Sequence, residues 1–275
     1  MPTIATGAPG PSENEPHQQR RMAESFGTDA DRYDRTRPRY PEAMVTRVAE
    51  SLPGPYVLDV GIGTGIAARQ FQAAGCEVFG VDVDARMAGL ARRDGIEVEV
   101  SAFESWDPAG RTFDGVVAGQ TWHWIDPVAG AAKAAEVLRP GGRLALFWNV
   151  FQPPAALGDV FAEVYRRVLP GMPALAQAGP AVGMYLSLLD KIADGIRAVG
   201  AFGEPEEWRY GWERVYTRDE WLEQVPTHGP ATGLPPEQLR ELLDGLGAAV
   251  DAAGGAFTVH YDVLVLTAVR AAGAE

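Results

Sequence analysis

The sequence predicts an α/β domain built on a doubly wound, mostly parallel β-sheet, with helices on both faces and helical cap insertions. Three observations predict it. Short apolar, β-branched runs alternate five times with helical segments between Tyr56 and Asn149, and such alternation lays strands parallel with crossover helices on both faces. The first run ends in a glycine-rich turn, Gly61-Ile62-Gly63-Thr64-Gly65, and the second ends in an acid, Asp82. Ligands of such sheets bind at the carboxyl ends of the strands, where the strand order reverses.

The elements follow in order. Residues 1–20 are rich in Pro, Gly, Ser, Glu and Gln and read as a disordered leader. Met22 to Ala49 is helical in pattern, with a turn over Tyr33 to Pro41 that Pro38 and Pro41 enforce. Tyr56 to Val60 reads as a buried strand and Ile66 to Ala74 as a helix; Glu77 to Asp82 and Ala85 to Asp94 repeat the unit. Val98 to Val100 is a short third strand and Phe113 to Ala118 a fourth. A helix from Val128 to Leu138 stops at Arg139-Pro140-Gly141-Gly142, before a fifth strand over Arg143 to Asn149. Beyond it, Ala156 to Leu169, Met184 to Val199, Arg218 to Val225 and Pro235 to Ala252 read as helices. Glu206 to Thr217 and Ala256 to Val269 read as long strands. The organisation expected is a leader over 1–20, lid helices and a ligand-binding core over 21–150, and cap helices with the last strands of the same sheet over 151–275.

Composition narrows the partners. The chain has 275 residues, 46% hydrophobic and 22% charged, which suits a globular domain with a cap. A net charge of −13 repels phosphate backbones and anionic membranes, so neither nucleic acid nor a membrane surface is expected as partner. The basic cluster Arg32, Arg35, Arg37 and Arg39 is interleaved with acids and Pro38 and reads as a structural or small-molecule-contacting segment. The lone Cys76 forms no intrachain disulfide, and no apolar run approaches the roughly 18 residues of a membrane span. With no secretory pattern after Met1, a cytoplasmic location is expected, as monomer or homodimer. The histidines at 17, 123, 228 and 260 show no metal-ligand spacing, so no metal is expected.

The glycine turn carries the strongest chemical signal. Glycines there let the backbone turn tightly and approach a ligand just before a helix N-terminus. Their spacing is Gly-x-Gly-x-Gly; the dinucleotide pattern needs glycine at 66, which is Ile66. Asp59, two residues before Gly61, is unfavourable beside a pyrophosphate but suits a ligand with an amino group and a sulfonium. Asp82, 21 residues after Gly61, can accept hydrogen bonds from both ribose hydroxyls, or can be a helix N-cap.

These pieces, with Gly80-Val81-Asp82, Phe113 to Val117 and Leu138 to Leu144, resemble the class I S-adenosylmethionine (SAM)-dependent methyltransferases of the small-molecule type. Tyr33 to Pro41 and Trp122-His123-Trp124 are similar to the trans-aconitate methyltransferase branch. The resemblance covers residues 22–150 well. It implies a Rossmann-like, seven-stranded sheet, SAM as cofactor with S-adenosylhomocysteine as product, and a small-molecule acceptor. It implies that Gly61, Gly63 and Gly65 flank the methionine part, that Asp59 holds its amino group, that Asp82 binds the ribose with Val83 on adenine, and that Gln120 lies beside the carboxylate or methyl. Relatives often carry an acid where this chain has Ala102, so adenine is expected against backbone atoms, Phe103 or Glu104.

Other positions keep two readings. His123 is a general base or an orienting residue; Trp122 and Trp124 line an acceptor pocket, or Trp124 belongs to the core. Tyr33, Arg37 and Tyr40 fold over the cofactor as a lid, with Arg37 on a carboxylate of SAM or of an acidic acceptor; or Arg37 pairs with a local acid and Tyr40 packs on Pro41. Asn149, at the end of the fifth strand, and His228 fall in the substrate region. Trp208, Tyr210, Trp212 and Tyr216 fall in the same region; 208, 210 and 212 alternate as one strand face, and the stripe is core or a substrate cage. The alternatives to a methyltransferase are an NAD(P)-dependent oxidoreductase and a non-catalytic SAM-binding protein.

Overall fold

The computed structural model describes residues 26–170 and 181–272; the expected leader over 1–20 lies outside the described residues. After a 3-10 turn at Phe26–Asp29 come helices α1 (Ala30–Thr36) and α2 (Glu42–Glu50). The α/β core is β1 (Tyr56–Val60), α3 (Ile66–Ala73), β2 (Glu77–Asp82), α4 (Ala85–Arg93), β3 (Glu97–Val100), β4 (Phe113–Gly119), α5 (Pro127–Val137) and β5 (Leu138–Gln152). Then follow α6 (Ala155–Val168), α7 (Ala181–Val199), β6 (Glu206–Thr217), α8 (Arg218–Gln224), α9 (Pro236–Ala252) and β7 (Ala256–Val269).

The seven strands form one sheet in the order β3-β2-β1-β4-β5-β7-β6, with β7 antiparallel to both neighbours. The order reverses between β1 and β4, which opens a crevice above their carboxyl ends. β1 and β4 are buried on both faces and so read as continuous apolar runs, whereas the edge strand β6 alternates in burial. β5 runs further than its apolar pattern suggests, to Gln152. The reason is tertiary: β7 pairs with it from Arg143↔Val269 to Gln152↔His260 and supplies the ladder that carries the chain past Asn149.

Helices cover both faces. On one, Leu189, Ile192 and Ile196 of α7 pack with α5 residues over Val116, Leu146 and Trp148. On the other, Met44, Val45 and Val48 of α2 and Phe71 of α3 cover Val57, Val117 and Phe147. A third apolar cluster lies over the far halves of β6 and β7, where α6, α8 and α9 close on Tyr216, Phe257 and Val259. Its centre is aromatic: Trp221 stacks on Phe161 at 5.7 Å and meets Phe257 edge-on at 5.3 Å. Fully buried aromatics each contribute about 1.5–3 kcal/mol, so this cap is a packed layer and not a loose flap. The Trp208 and Tyr216 face is core; Trp208 also carries the Arg47 guanidinium 3.8 Å above its ring.

The lid segment is tied to both layers. Thr64 Oγ1 donates to Asp34 at 2.7 Å, and Arg69 reaches Asp34 at 2.5 Å. Gln70 makes two hydrogen bonds to the Tyr40 backbone, at 3.0 and 2.8 Å. On the cap side, Arg35 pairs with Glu223 at 2.6 Å.

Candidate active site

The glycine turn after β1 is held in a left-handed conformation at Gly61 (φ +66°) and Gly65 (φ +89°), which side chains rarely tolerate. At Gly61 space forbids a side chain as well: a Cβ would lie 2.1 Å from the Thr121 side chain, whose hydroxyl donates to the Gly61 carbonyl. Gly65 is the N-cap of α3. The turn thus lays bare backbone along the crevice.

Two carboxylates face this turn. Asp82 accepts from the Gly63 N–H at 2.7 Å and from the Asp84 N–H at 2.8 Å. Asp84, not Asp82, caps α4. Burial raises the Asp82 pKa, and those backbone hydrogen bonds oppose the shift. Asp59 is 1% exposed, and its Oδ2 has no hydrogen-bond partner. Burial, reinforced by the charge of Asp82, holds Asp59 well above the ordinary carboxylate range. An unpartnered buried carboxylate is costly unless a cation or donor meets it. The site therefore fits a ligand carrying a positively charged amino group.

Arg37 closes the crevice from the lid. Its Nη2 donates to the Thr227 carbonyl, its guanidinium lies 4.8 Å over the Tyr33 ring, and its buried Nε has no partner. Among the described residues no carboxylate pairs with it, so the reading of a local acid pair is corrected, and Tyr40 packs edge-on against Phe147 at 4.6 Å. Gln120 takes a left-handed φ of +57°, held by its N–H on Phe147 and its amide on the Asn149 carbonyl, both at 2.9 Å. Backbone strain in a non-glycine residue collects at functional sites. The Asn149 side chain is itself occupied, accepting from Trp212 at 3.1 Å and donating to the Arg39 carbonyl at 3.3 Å.

The tautomer of His123 follows from one contact. The indole N–H of Trp148 can only donate, and it meets His123 Nδ1 at 3.2 Å. Nδ1 is therefore the acceptor and Nε2 carries the proton. Burial pushes the His123 pKa down to about 4. A ring already protonated at Nε2, with Nδ1 occupied, serves as a donor; the general-base reading is corrected accordingly. The unfolded imidazole protonates near 6.5 and the folded one near 4, so the unfolded state binds more protons across that window. Stability is present above 6.5 and is lost as pH falls toward 4. His123→Gln should flatten the fall in melting temperature over that range by the His123 share; an unchanged acid limb would contradict the assignment.

These groups line one cavity of about 620 Å³, within the roughly 300–1,000 Å³ of small-molecule sites. From the lid it gathers Tyr33 and Arg37. From the strand ends it gathers Asp59, Gly61, Gly63, Asp82, Val83, Gln120 and Asn149, with Phe103 and Glu104 after β3. His123, Trp124 and His228 complete the expected set. Two expected residues fall outside it. Gly65 sits one step beyond the wall, where it starts α3. Trp122 is fully buried against Phe103 in the core, because the 3-10 turn Trp122–Trp124 points it inward and leaves Trp124 half-buried at the cavity. Sequence reasoning missed Phe151, Tyr185, Gln224 and Tyr261, which also line the cavity. The first and last are cross-strand partners on β5 and β7, a register that no local motif announces.

Residues 57–142 match a family described as a methyltransferase domain. The match places a methyltransferase domain over β1 to β4 and the start of β5. An uncharacterized methyltransferase of Mycobacterium tuberculosis is 34% identical to this chain over 135 residues, 47% of this chain and 54% of that one. The chain thus spans about half the length of that relative. A demethylmenaquinone methyltransferase of Renibacterium salmoninarum is 26% identical over 64% of this chain and 74% of that one. Among solved structures, an Anaeromyxobacter dehalogenans protein described as a type II methyltransferase superposes with a TM-score of 0.58 at 23% identity, covering 86% and 99% of the two chains. The cyclase SpnF shares the fold over 98% of this chain and all of its own, with a TM-score of 0.51 at 18% identity. The fold alone therefore does not choose the reaction. Among the described residues no cluster could hold a metal ion, and no helix is long and apolar enough to cross a membrane.

Proposed function

We propose that this protein is a SAM-dependent methyltransferase that binds SAM in the crevice between β1 and β4 and transfers its methyl group to a small molecule held under the cap. The observation that carries the reading is Asp59, a buried carboxylate at the cavity wall with an unpartnered oxygen. When bound, the cofactor supplies an electrophilic methyl whose C–S electron pair returns to sulfur as the acceptor's lone pair bonds the carbon. The residues of the chain do the rest. Asp59 receives the amino group and Asp82 the ribose hydroxyls. Val83, 37% exposed at the cavity, packs on adenine. Arg37 turns its unpartnered Nε to the methionine carboxylate. His123, neutral and donating from Nε2, orients the acceptor without removing its proton, so the rate comes from holding a nucleophilic acceptor in line.

The test is calorimetric titration with S-adenosylhomocysteine, followed by a radiolabelled methyl-transfer screen over small-molecule extracts. Binding with transfer supports the reading; binding without any labelled product leaves a SAM-binding protein; no binding overturns it.

A further inference from the structure

The half of the cavity above β5 and β7 differs in character from the half above β1 and β2. The carboxylates lining the cavity, among the described residues, all belong to the cofactor side: Asp59, Asp82 and Glu104. The other half has aromatic walls. Phe151 and Tyr261 are cross-strand partners, and Phe151 is 42% exposed within the concavity. The His228 ring lies near-parallel to Phe151, 27° between planes with centroids 6.0 Å apart. The Tyr261 hydroxyl is already paired with Tyr216 at 2.6 Å, and one amide stands beside these rings. Gln224, 3% exposed at the last turn of α8, lines the cavity; its amide nitrogen meets His228 Nε2 at 3.1 Å, while its Oε1 is buried without a partner. Since the amide N–H donates, His228 Nε2 accepts and its proton sits on Nδ1. Burial and the nearby Arg37 both disfavour the imidazolium, so His228 brings no charge. The nearest fixed charge on this side is the cation of Arg37.

We infer that Gln224 is the polar anchor of the acceptor subsite, and that the subsite takes a flat conjugated ring bearing a hydroxyl, in preference to an ammonium compound. The inference rests on the proposed function, because it assumes that the cofactor fills the other half. Three physical reasons support it. A flat ring lies along the Phe151–His228 wall and covers apolar surface that is otherwise wet. A hydroxyl donates to Gln224 Oε1 and satisfies an acceptor whose orphaning is costly. An ammonium finds no carboxylate on this side among the described residues, so its burial there is uncompensated.

The experiment titrates 2-naphthol, 2-methylnaphthalene and phenyltrimethylammonium into the protein saturated with S-adenosylhomocysteine, following tryptophan fluorescence. The expected result is 2-naphthol binding at least about tenfold tighter than its methyl isostere, since a site built for a hydroxyl discriminates strongly against its loss. The ammonium compound should bind more weakly than 2-naphthol. Gln224→Leu should bring the two naphthyl ligands within about threefold of each other while S-adenosylhomocysteine affinity is retained. Equal binding of the isosteres to wild type, tighter binding of the ammonium, or an undiminished hydroxyl preference in Gln224→Leu would overturn the inference. Should Gln224→Leu fail to fold, Phe151→Ala takes its place: both naphthyl ligands should weaken severalfold, and unchanged affinity would overturn the aromatic wall. Absence of S-adenosylhomocysteine binding in the first step would instead refute the proposed function, so the two failures are distinguishable.

Discussion

Asp82→Ala is expected to lower S-adenosylhomocysteine affinity by at least about 100-fold in calorimetry, because it removes an ionised acceptor for two ribose hydroxyls and charge-assisted hydrogen bonds are each worth about 1.5–3 kcal/mol. The effect has a second source. In the protein as it stands, Asp82 also holds the Gly63 and Asp84 N–H groups, so the alanine variant releases the glycine turn that lines the cavity. Asp82→Asn separates the two contributions. It keeps one acceptor for the turn but loses the charge, and should fall between wild type and alanine. Unchanged affinity in the alanine variant would remove Asp82 from the cofactor site.

Asp59→Asn is expected to do two opposite things. It should weaken S-adenosylhomocysteine binding by about 30-fold or more, through loss of the charge that meets the ligand's amino group. It should also stabilise the ligand-free protein by about 1–2 kcal/mol, the usual gain when a strained functional residue is relieved. The sign comes from the raised pKa. The folded state holds a proton on Asp59 that the unfolded chain gives up near 3.8, so the folded state binds more protons above that value. The stability contribution is therefore full below pH 3.8 and is lost as pH rises through the folded pKa. Asparagine carries no such dependence. Differential scanning calorimetry from pH 4 to 8 should show the variant gaining on wild type as pH rises. Asp82 is also raised and its charge acts on Asp59, so the difference between the two proteins reports Asp59 together with its coupling to Asp82. A variant that loses affinity without gaining stability would contradict an unpaired Asp59 in the free protein.

Much of the cofactor side was legible along the chain, for a physical reason. Asp59, Gly61, Gly63 and Asp82 lie at the ends of strands buried on both faces, where local apolar runs mark the element and its end marks the ligand. Their roles depend on neighbours within a few residues or one βαβ unit. Trp122-His123-Trp124 shows where this stops. The three residues announce a site, but only the 3-10 turn decides that Trp122 goes into the core and Trp124 to the cavity. Only the Trp148 indole, across two strands, decides which nitrogen of His123 carries the proton. Gln224 shows the limit most plainly, since nothing on its helix distinguishes it from a surface glutamine.

The amino-acid sequence by itself determined the alternating α/β order, the glycine turn and the two strand-end carboxylates of this protein, because periodicity and turn chemistry are local properties of the backbone. The tertiary structure alone decided the length of β5, the aromatic wall built by the β5–β7 register, the unpartnered Arg37 Nε and Asp59 Oδ2, and the tautomer of His123. Each of these depends on which groups from distant segments meet, or fail to meet, inside the same buried volume.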